Sequence, residues 1–361
     1  MTDTHDLLAT FDKKNLEYLK EFRFDAQTFV QLRDELEKGL FTQARNFIDA
    51  KLEPTQPGDI MDWPQEGSEA QRRGQEAIDA GEVGVVILNG GMATRFGGVV
   101  KGVVEALPGQ SFLELKLKDV GRFGDKVGIF LMNSFATAQD TKGHLEDHPL
   151  NIRMAMQSIS VRVKPDGEPF RKQDGELAFY APGHGDIFSS MAACGDFQTF
   201  KEQGGRYLFV SNVDNLAASL CPKVIGAHIL GGKQVTAEVA PRYPGDKGGA
   251  PVRVDGRVAI VEGFRFPADF DNDALPVFST NNMVMNVDVF TENPPLTWFR
   301  ADKVVEGQSV VQFERLMGEI TSFADSAYLH VPREGDEGRF LAVKTPDDLQ
   351  GHQEELTRRF R

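Results

Sequence analysis

Apolar residues in the first fifty positions recur at helical spacing, Leu7, Leu8 and Phe11, then Phe29, Leu32, Leu36 and Leu40, which predicts a helical N-terminal segment. The stretch 53–67 carries Pro54, Pro57, Gly58, Pro64 and Gly67 and reads as a connection. From Val83 onward short apolar runs alternate with helical stretches. Residues 83–89, 127–133 and 207–213 are candidate buried strands, while 135–148 and 222–230 carry helical patterns. Runs without polar alternation are covered on both faces, so this predicts an α/β fold of βαβ units around a largely parallel sheet. Two runs end in Asn89 and Asn133, and the third continues through Asn212 to Asp214. In open α/β sheets ligands bind at these carboxyl ends. Beyond 233 the strand patterns at 234–242, 257–264 and 283–290 are longer and more alternating, which predicts an antiparallel extension completing a substrate pocket. Pro346 stands where a last helix would begin.

The 361 residues suit roughly two domains, or one large one with attachments. The expected division is an N-terminal helical segment and linker over 1–80, a catalytic domain over 81–300, and a segment over 301–361 completing it. Phe occurs 27 times against 5 Tyr and 2 Trp, so most aromatic surface lacks a polar handle and belongs in a core. A net charge of −14 argues against charge-driven binding to nucleic acid or anionic membranes, so an anionic substrate needs a local cationic pocket. Cys194 and Cys221 form no CxxC pair, which suits a reducing cytoplasm, and the polar start 1–6 does not resemble a signal peptide. No apolar stretch is long enough to span a bilayer.

The sharpest local feature is Leu88-Asn-Gly-Gly-Met-Ala-Thr-Arg-Phe-Gly-Gly-Val-Val-Lys101, a glycine-rich loop directly after a strand pattern. Glycines let backbone N–H groups approach phosphate oxygens, and Arg95 and Lys101 could supply charge. Neither a Walker A loop nor a G-x-G-x-x-G fingerprint fits it, and a plain strand-to-helix turn would use the same glycines. Asp214, in Ser211-Asn-Val-Asp-Asn215, is a natural Mg²⁺ ligand beside a phosphate site or, equally, the cap of a following helix. In Ala181-Pro-Gly-His-Gly-Asp186, His184 can donate a hydrogen bond from a loop that approaches a ligand closely, or can simply occupy a solvated turn. His144 and His148 fit a solvated helix face better than a zinc pair. The mixed-charge stretches 119–126 and 334–339 read as exposed loops.

Taken in order, Leu88-Asn-Gly-Gly, Leu131-Met-Asn-Ser-Phe135, Pro182-Gly-His-Gly-Asp186, Asn212-Val-Asp-Asn-Leu216, Asp246-Lys-Gly-Gly249, Val261-Glu262, Thr280-Asn-Asn282 and Val343-Lys-Thr-Pro-Asp-Asp-Leu349 resemble the UDP-glucose pyrophosphorylase family. The resemblance implies a Rossmann-like nucleotidyltransferase (GT-A-like) mixed sheet flanked by helices. It implies that Leu88, Gly90 and Gly91 hold the nucleotide, that Lys101 meets the triphosphate, and that Gln157 and Gly183 read uracil. His184 and Lys344 would contact the sugar phosphate, Asp214 would hold Mg²⁺, and Asn212, Gly249, Glu262 and Asn281 or Asn282 would face the sugar hydroxyls.

Ala93 and Val100 depart from the eukaryotic pattern, while Thr94-Arg95 resembles the bacterial and N-acetylhexosamine branches. The sequence ends soon after Leu349, so the C-terminal β-helix of many eukaryotic members is not expected. The implied reaction is Mg²⁺-dependent, in-line transfer of a uridylyl group from UTP to glucose 1-phosphate. A UDP-N-acetylhexosamine or broad-specificity pyrophosphorylase and a non-catalytic UDP-sugar sensor are the alternatives. The expected partners are UTP and a sugar 1-phosphate, with no nucleic acid or membrane, and the chain is expected to work without obligate oligomerisation.

Overall fold

The computed structural model describes residues 7–246, 248–291 and 294–361. Seven strands form its central sheet: β1 (Val83–Leu88), β2 (Gly128–Asn133), β3 (Ile152–Met156), β4 (Tyr207–Asn212), β5 (Val235–Pro241), β6 (Val277–Asn286) and β7 (Ser326–His330), in the order β7-β5-β6-β4-β1-β2-β3. Strands β4, β1, β2 and β3 run parallel. Strand β6 runs antiparallel to both neighbours, and β5 pairs in parallel with β7.

The two faces of β1 explain its unbroken apolar run. Val85 and Ile87 join one core with helix α4 (Phe112–Gly121) and helix α8 (Pro222–Gly231). Val86 and Leu88 join the other, with α6 (Ile187–Ala192) and α7 (Gly195–Glu202). A strand covered on both sides has no position left for a solvated side chain. Eight phenylalanines, among them Phe112, Phe130 and Phe313, stand among the largest fully buried side chains.

Helices α1 (Lys13–Glu21) and α2 (Ala26–Glu37) pack on a separate cluster with Ile159, Val161, Val163 and the hairpin of Phe299–Val305 with Gln308–Glu314. The Pro-rich stretch begins as a strand, Leu52–Pro54, paired with Ala250–Val254. Helix α3 (Glu69–Asp79) then packs against α8. Helix α5 (Ala138–His144) falls within the predicted stretch 135–148, and His144 Nε2 meets Ser111 Oγ at 2.8 Å.

The antiparallel extension expected beyond 233 is part of the central sheet itself, where β6 runs antiparallel to β4 and β5, while Arg257–Val261 joins a small three-stranded antiparallel sheet. Two expectations need correction. Arg339 is not in an exposed loop: it is 3% exposed and ion-paired with fully buried Glu238. Asp119, likewise buried, lies in α4 and accepts from Leu220 N–H at 3.0 Å.

Candidate active site

A cleft of about 480 Å³ opens at the carboxyl ends of β1 and β4, with Leu88, Gly90, Gly91, Arg95, Lys101, Gln157, Gly183, His184, Asn212, Asp214 and Lys344 in its lining. Met92, Ala93, Met132, Ala181 and Val213 add an apolar wall, which the sequence did not mark because such residues read as ordinary core.

The glycine-rich loop is not a strand-to-helix turn. Met92–Ala93 pairs with Val99–Val100 in a short ribbon, and Lys101–Val103 follows as a 3₁₀ turn, so no α-helix starts before Phe112. Gly90 is needed for close approach: a Cβ there would lie 2.0 Å from Gln157 Oε1. Gly91 faces open space on its Cβ side. Ser134 Oγ, at the end of β2, donates to Gly90 O at 2.8 Å and pins the loop.

Lys101 is 7% exposed, with Nζ 3.9 Å from the centre of the Phe96 ring and 4.7 Å from that of Phe112. Its pKa is lowered, first by burial and then by Lys344 and Arg95, while Asp214 opposes the shift. These four charges therefore share one end of the cleft. Lys344 Nζ lies 3.4 Å from Asp214 Oδ2.

The Asp214 loop and the Lys344 segment are tied together by backbone. Val343 N–H donates to Asp214 O at 3.0 Å, and Asn215 Oδ1 accepts from Leu341 N–H at 2.9 Å. Thr345 and Asp348 form a capping box on the helix α9 (Pro346–Gly351), and Asp348 Oδ2 also accepts from Lys344 N–H at 2.9 Å. Asp214 does not cap a helix: it precedes a turn stretch that ends where α8 begins at Pro222. Asn215 carried no chemical signal in sequence, since its role lies in partners from the far end of the chain.

At the other end, Gln157 follows β3 and donates through Nε2 to Gly183 O at 2.9 Å. Gly183 has φ +83°, and a Cβ would lie 2.5 Å from Arg315 O, so backbone conformation and space both demand glycine. His184 Nδ1 accepts from Met317 N–H at 3.0 Å, which leaves the ring proton on Nε2. Burial, with Lys344 nearby, pushes the His184 pKa down to about 4, so the ring is a neutral donor at physiological pH.

Four expected residues do not line the cleft. Asn281, in a left-handed conformation at φ +61°, donates to Asn212 Oδ1 at 3.1 Å and so stands just behind it. Gly249 O accepts from Ser279 N–H at 2.7 Å, and a Gly249 Cβ would lie 3.2 Å from Glu262 Cδ. Glu262 is held above the usual carboxylate range by burial, with Arg265 opposing. Asn282 is fully buried and donates to Glu238 Oε2 at 2.9 Å, so its amide braces the sheet instead of facing a ligand. Lys247, within the 246–249 motif, lies outside the described residues.

A family model described as UTP--glucose-1-phosphate uridylyltransferase matches residues 27–358. The Solanum tuberosum protein of that name is 32% identical over 288 residues, covering 73% of this chain and 60% of the relative. The Saccharomyces cerevisiae protein is 31% identical over 295 residues, covering 74% and 58% respectively. This chain thus spans about 60% of the length of the plant and yeast relatives it matches. A solved UDP-glucose pyrophosphorylase variant from Leishmania major, in complex with UDP-glucose, aligns with a TM-score of 0.74 at 26% identity, covering 93% of this chain and 77% of that one. A Trypanosoma brucei UDP-N-acetylglucosamine pyrophosphorylase, 18% identical with a TM-score of 0.72 over 90% of this chain and 74% of that one, shares the fold. A family model that matches most of the length, together with relatives more than 30% identical over about three quarters of the chain, means that the chain belongs to the UTP--glucose-1-phosphate uridylyltransferase family.

Proposed function

We propose that this chain transfers a uridylyl group from UTP to glucose 1-phosphate, giving UDP-glucose and pyrophosphate. The observation that carries this reading is a single cleft that brings the polar pair Gln157 and Gly183 together with the cations Lys101, Arg95 and Lys344. Leu88, Gly90 and Gly91 lie along the wall between them. Gln157 spends one amide hydrogen on Gly183 O, and its Oε1 can accept from the N3–H of uracil, a donor that cytosine lacks.

The phosphate oxygen of the sugar 1-phosphate attacks the α-phosphorus of UTP in line with the departing pyrophosphate. Lys101, Arg95 and Lys344 neutralise the two polyanions and hold that geometry, which accounts for binding of acidic substrates by an acidic protein. Neutral His184 donates from Nε2 to a substrate oxygen without itself carrying charge.

Asp214 suits Mg²⁺ as a single carboxylate sharing the ion with substrate phosphates, because it lines the cleft beside the cations Lys101, Arg95 and Lys344 where those phosphates would lie. Bound there, Mg²⁺ would supply further charge neutralisation on the phosphates. Asn212, with Asn281 behind it, and the Gly249–Glu262 pair are the groups nearest the sugar side in this reading; Asn282 is left out.

The sheet is proposed to be Rossmann-like and GT-A-like, supported by the parallel β4-β1-β2-β3 set with the cleft at its carboxyl ends. The division at 80 and 300 is kept as a proposal, supported in its last part by β7 and Lys344, which complete the sheet and the cleft. The cleft-lining residues come from one chain, which supports activity as a monomer. A cytoplasmic setting is proposed because both cysteines are free thiols, and among the described residues no helix is long and apolar enough to cross a membrane. Pyrophosphate release should be assayed with UTP and Mg²⁺ over a panel of sugar 1-phosphates. Glucose 1-phosphate is expected to give the highest kcat/KM; preference for an N-acetylhexosamine 1-phosphate, or UDP-glucose binding without turnover, would replace this reading.

A further inference from the structure

The turn that ends α1 reaches the base end of the cleft. Phe24 N–H donates to Leu19 O at 2.9 Å and Arg23 N–H to Lys20 O at 3.2 Å, the two bonds of a Schellman helix end. Its left-handed position normally takes glycine, yet here it is Arg23, at φ +54°. A strained residue is retained where its side chain does something that glycine could not. The Arg23 guanidinium donates to Met156 O and, at 3.0 Å, to Ser189 O, so it joins the end of edge strand β3 to helix α6.

Met156 directly precedes Gln157, and the bonds around Gln157 continue on its other side. Gln157 N–H donates to Asn133 O at 2.8 Å, Ser158 N–H to Asp186 Oδ2 at 2.6 Å, and Ile159 N–H to Phe22 O at 3.0 Å. Asp186 is in turn held by Arg315 Nη2 at 2.7 Å. The turn at Phe22 and Arg23 therefore grips the backbone immediately before and shortly after Gln157. Being at the sheet edge, β3 has no further strand to hold its outer side.

We propose that Arg23 is a positioning residue for base recognition, fixing Gln157 so that its amide meets the edge of uracil. This gives the N-terminal helices a part in nucleotide selectivity, and it rests on the assignment of Gln157 as base reader. Arg23 touches no substrate in this reading; it acts through the Met156 carbonyl.

Arg23→Gly removes the guanidinium bonds to the Met156 and Ser189 carbonyls but relieves the left-handed strain, two opposed effects on Tm, so the chain should still fold. UTP and CTP binding should be measured by calorimetry on the full chain, with hydrogen exchange at the Ser158 and Ile159 amides in the ligand-free protein. The preference for UTP over CTP is expected to fall at least about fivefold, chiefly through UTP, with faster exchange at both amides. Arg23→Lys, which can still reach one of the two carbonyls, should recover part of both. Wild-type protein that itself shows no preference for UTP would overturn the Gln157 assignment and this proposal with it. A selective wild type alongside an equally selective Arg23→Gly variant would overturn the Arg23 role alone. Equal weakening of UTP and CTP with a lowered Tm would make Arg23 a stabilising residue only and would also overturn it.

Discussion

Gly90→Ala tests the base end of the cleft with a single methyl group. Gly90 lies outside the left-handed region, so alanine can adopt its backbone, and such a change tends to stabilise slightly by restricting the unfolded chain. The added Cβ would stand 2.0 Å from Gln157 Oε1 and 3.0 Å from Gln157 Cδ. The amide must retreat by roughly 1 Å to reach a tolerable contact. Gln157 is 4% exposed and its Nε2 is anchored on Gly183 O at 2.9 Å, so a retreat of that size breaks the anchor and withdraws Oε1 from the base. Loss of the anchor, about 1 kcal/mol, is felt equally by the free and the bound protein and so falls on stability, while the comparable loss at uracil N3–H gives a roughly fivefold fall in kcat/KM for UTP. CTP, which gains nothing from the lost acceptor, should change much less. Pyrophosphate release with each nucleotide, beside a thermal melt, measures this. A variant whose UTP rate and preference for UTP over CTP stay within about twofold of wild type would show that Gln157 does not read the base.

At the cationic end, Lys101→Ala should lower kcat more than it raises KM for UTP, whereas Asp214→Ala should lose activity in a way partly recovered at high Mg²⁺; normal Mg²⁺ dependence in the latter would remove Asp214 as a ligand. Arg339→Met leaves Glu238 buried without its partner and should cost about 3–5 kcal/mol in denaturant unfolding, a loss of under 1 kcal/mol contradicting the packing argument. Burial holds His184 and His228 down at about 4, against an ordinary value of 6.5. Between these values the unfolded chain binds protons that the folded chain refuses, so stability is full above about pH 6.5 and falls as the pH drops toward 4. Replacing His228 by Asn should flatten that slope in pH-dependent melts, and an unaltered slope would mean that this imidazole is not held neutral.

Three of the four parallel strands, and the loops at their carboxyl ends, were legible in the sequence, whereas edge strand β3 was not. Val83–Leu88 and Gly128–Asn133 are apolar on both faces, and that pattern is local: it exists before the chain folds. The motif order likewise indicated Lys101, Asp214 and Lys344 before their convergence could be seen. The other half of the sheet was a different matter. Strands β5 and β6 lie inside it and are almost wholly buried, and which strands they pair with, β6 antiparallel on both sides and β5 parallel to β7, is decided only by partners far along the chain. In sequence Arg339 reads as part of an exposed loop and Asn282 as a sugar contact; both are buried on Glu238, which lies between them in the fold, and a charge can leave water only where a partner awaits it. Arg23 shows the same dependence from the other end. Its chemistry as a carbonyl clamp requires the end of α1 to meet the end of β3, and no local spacing records that meeting.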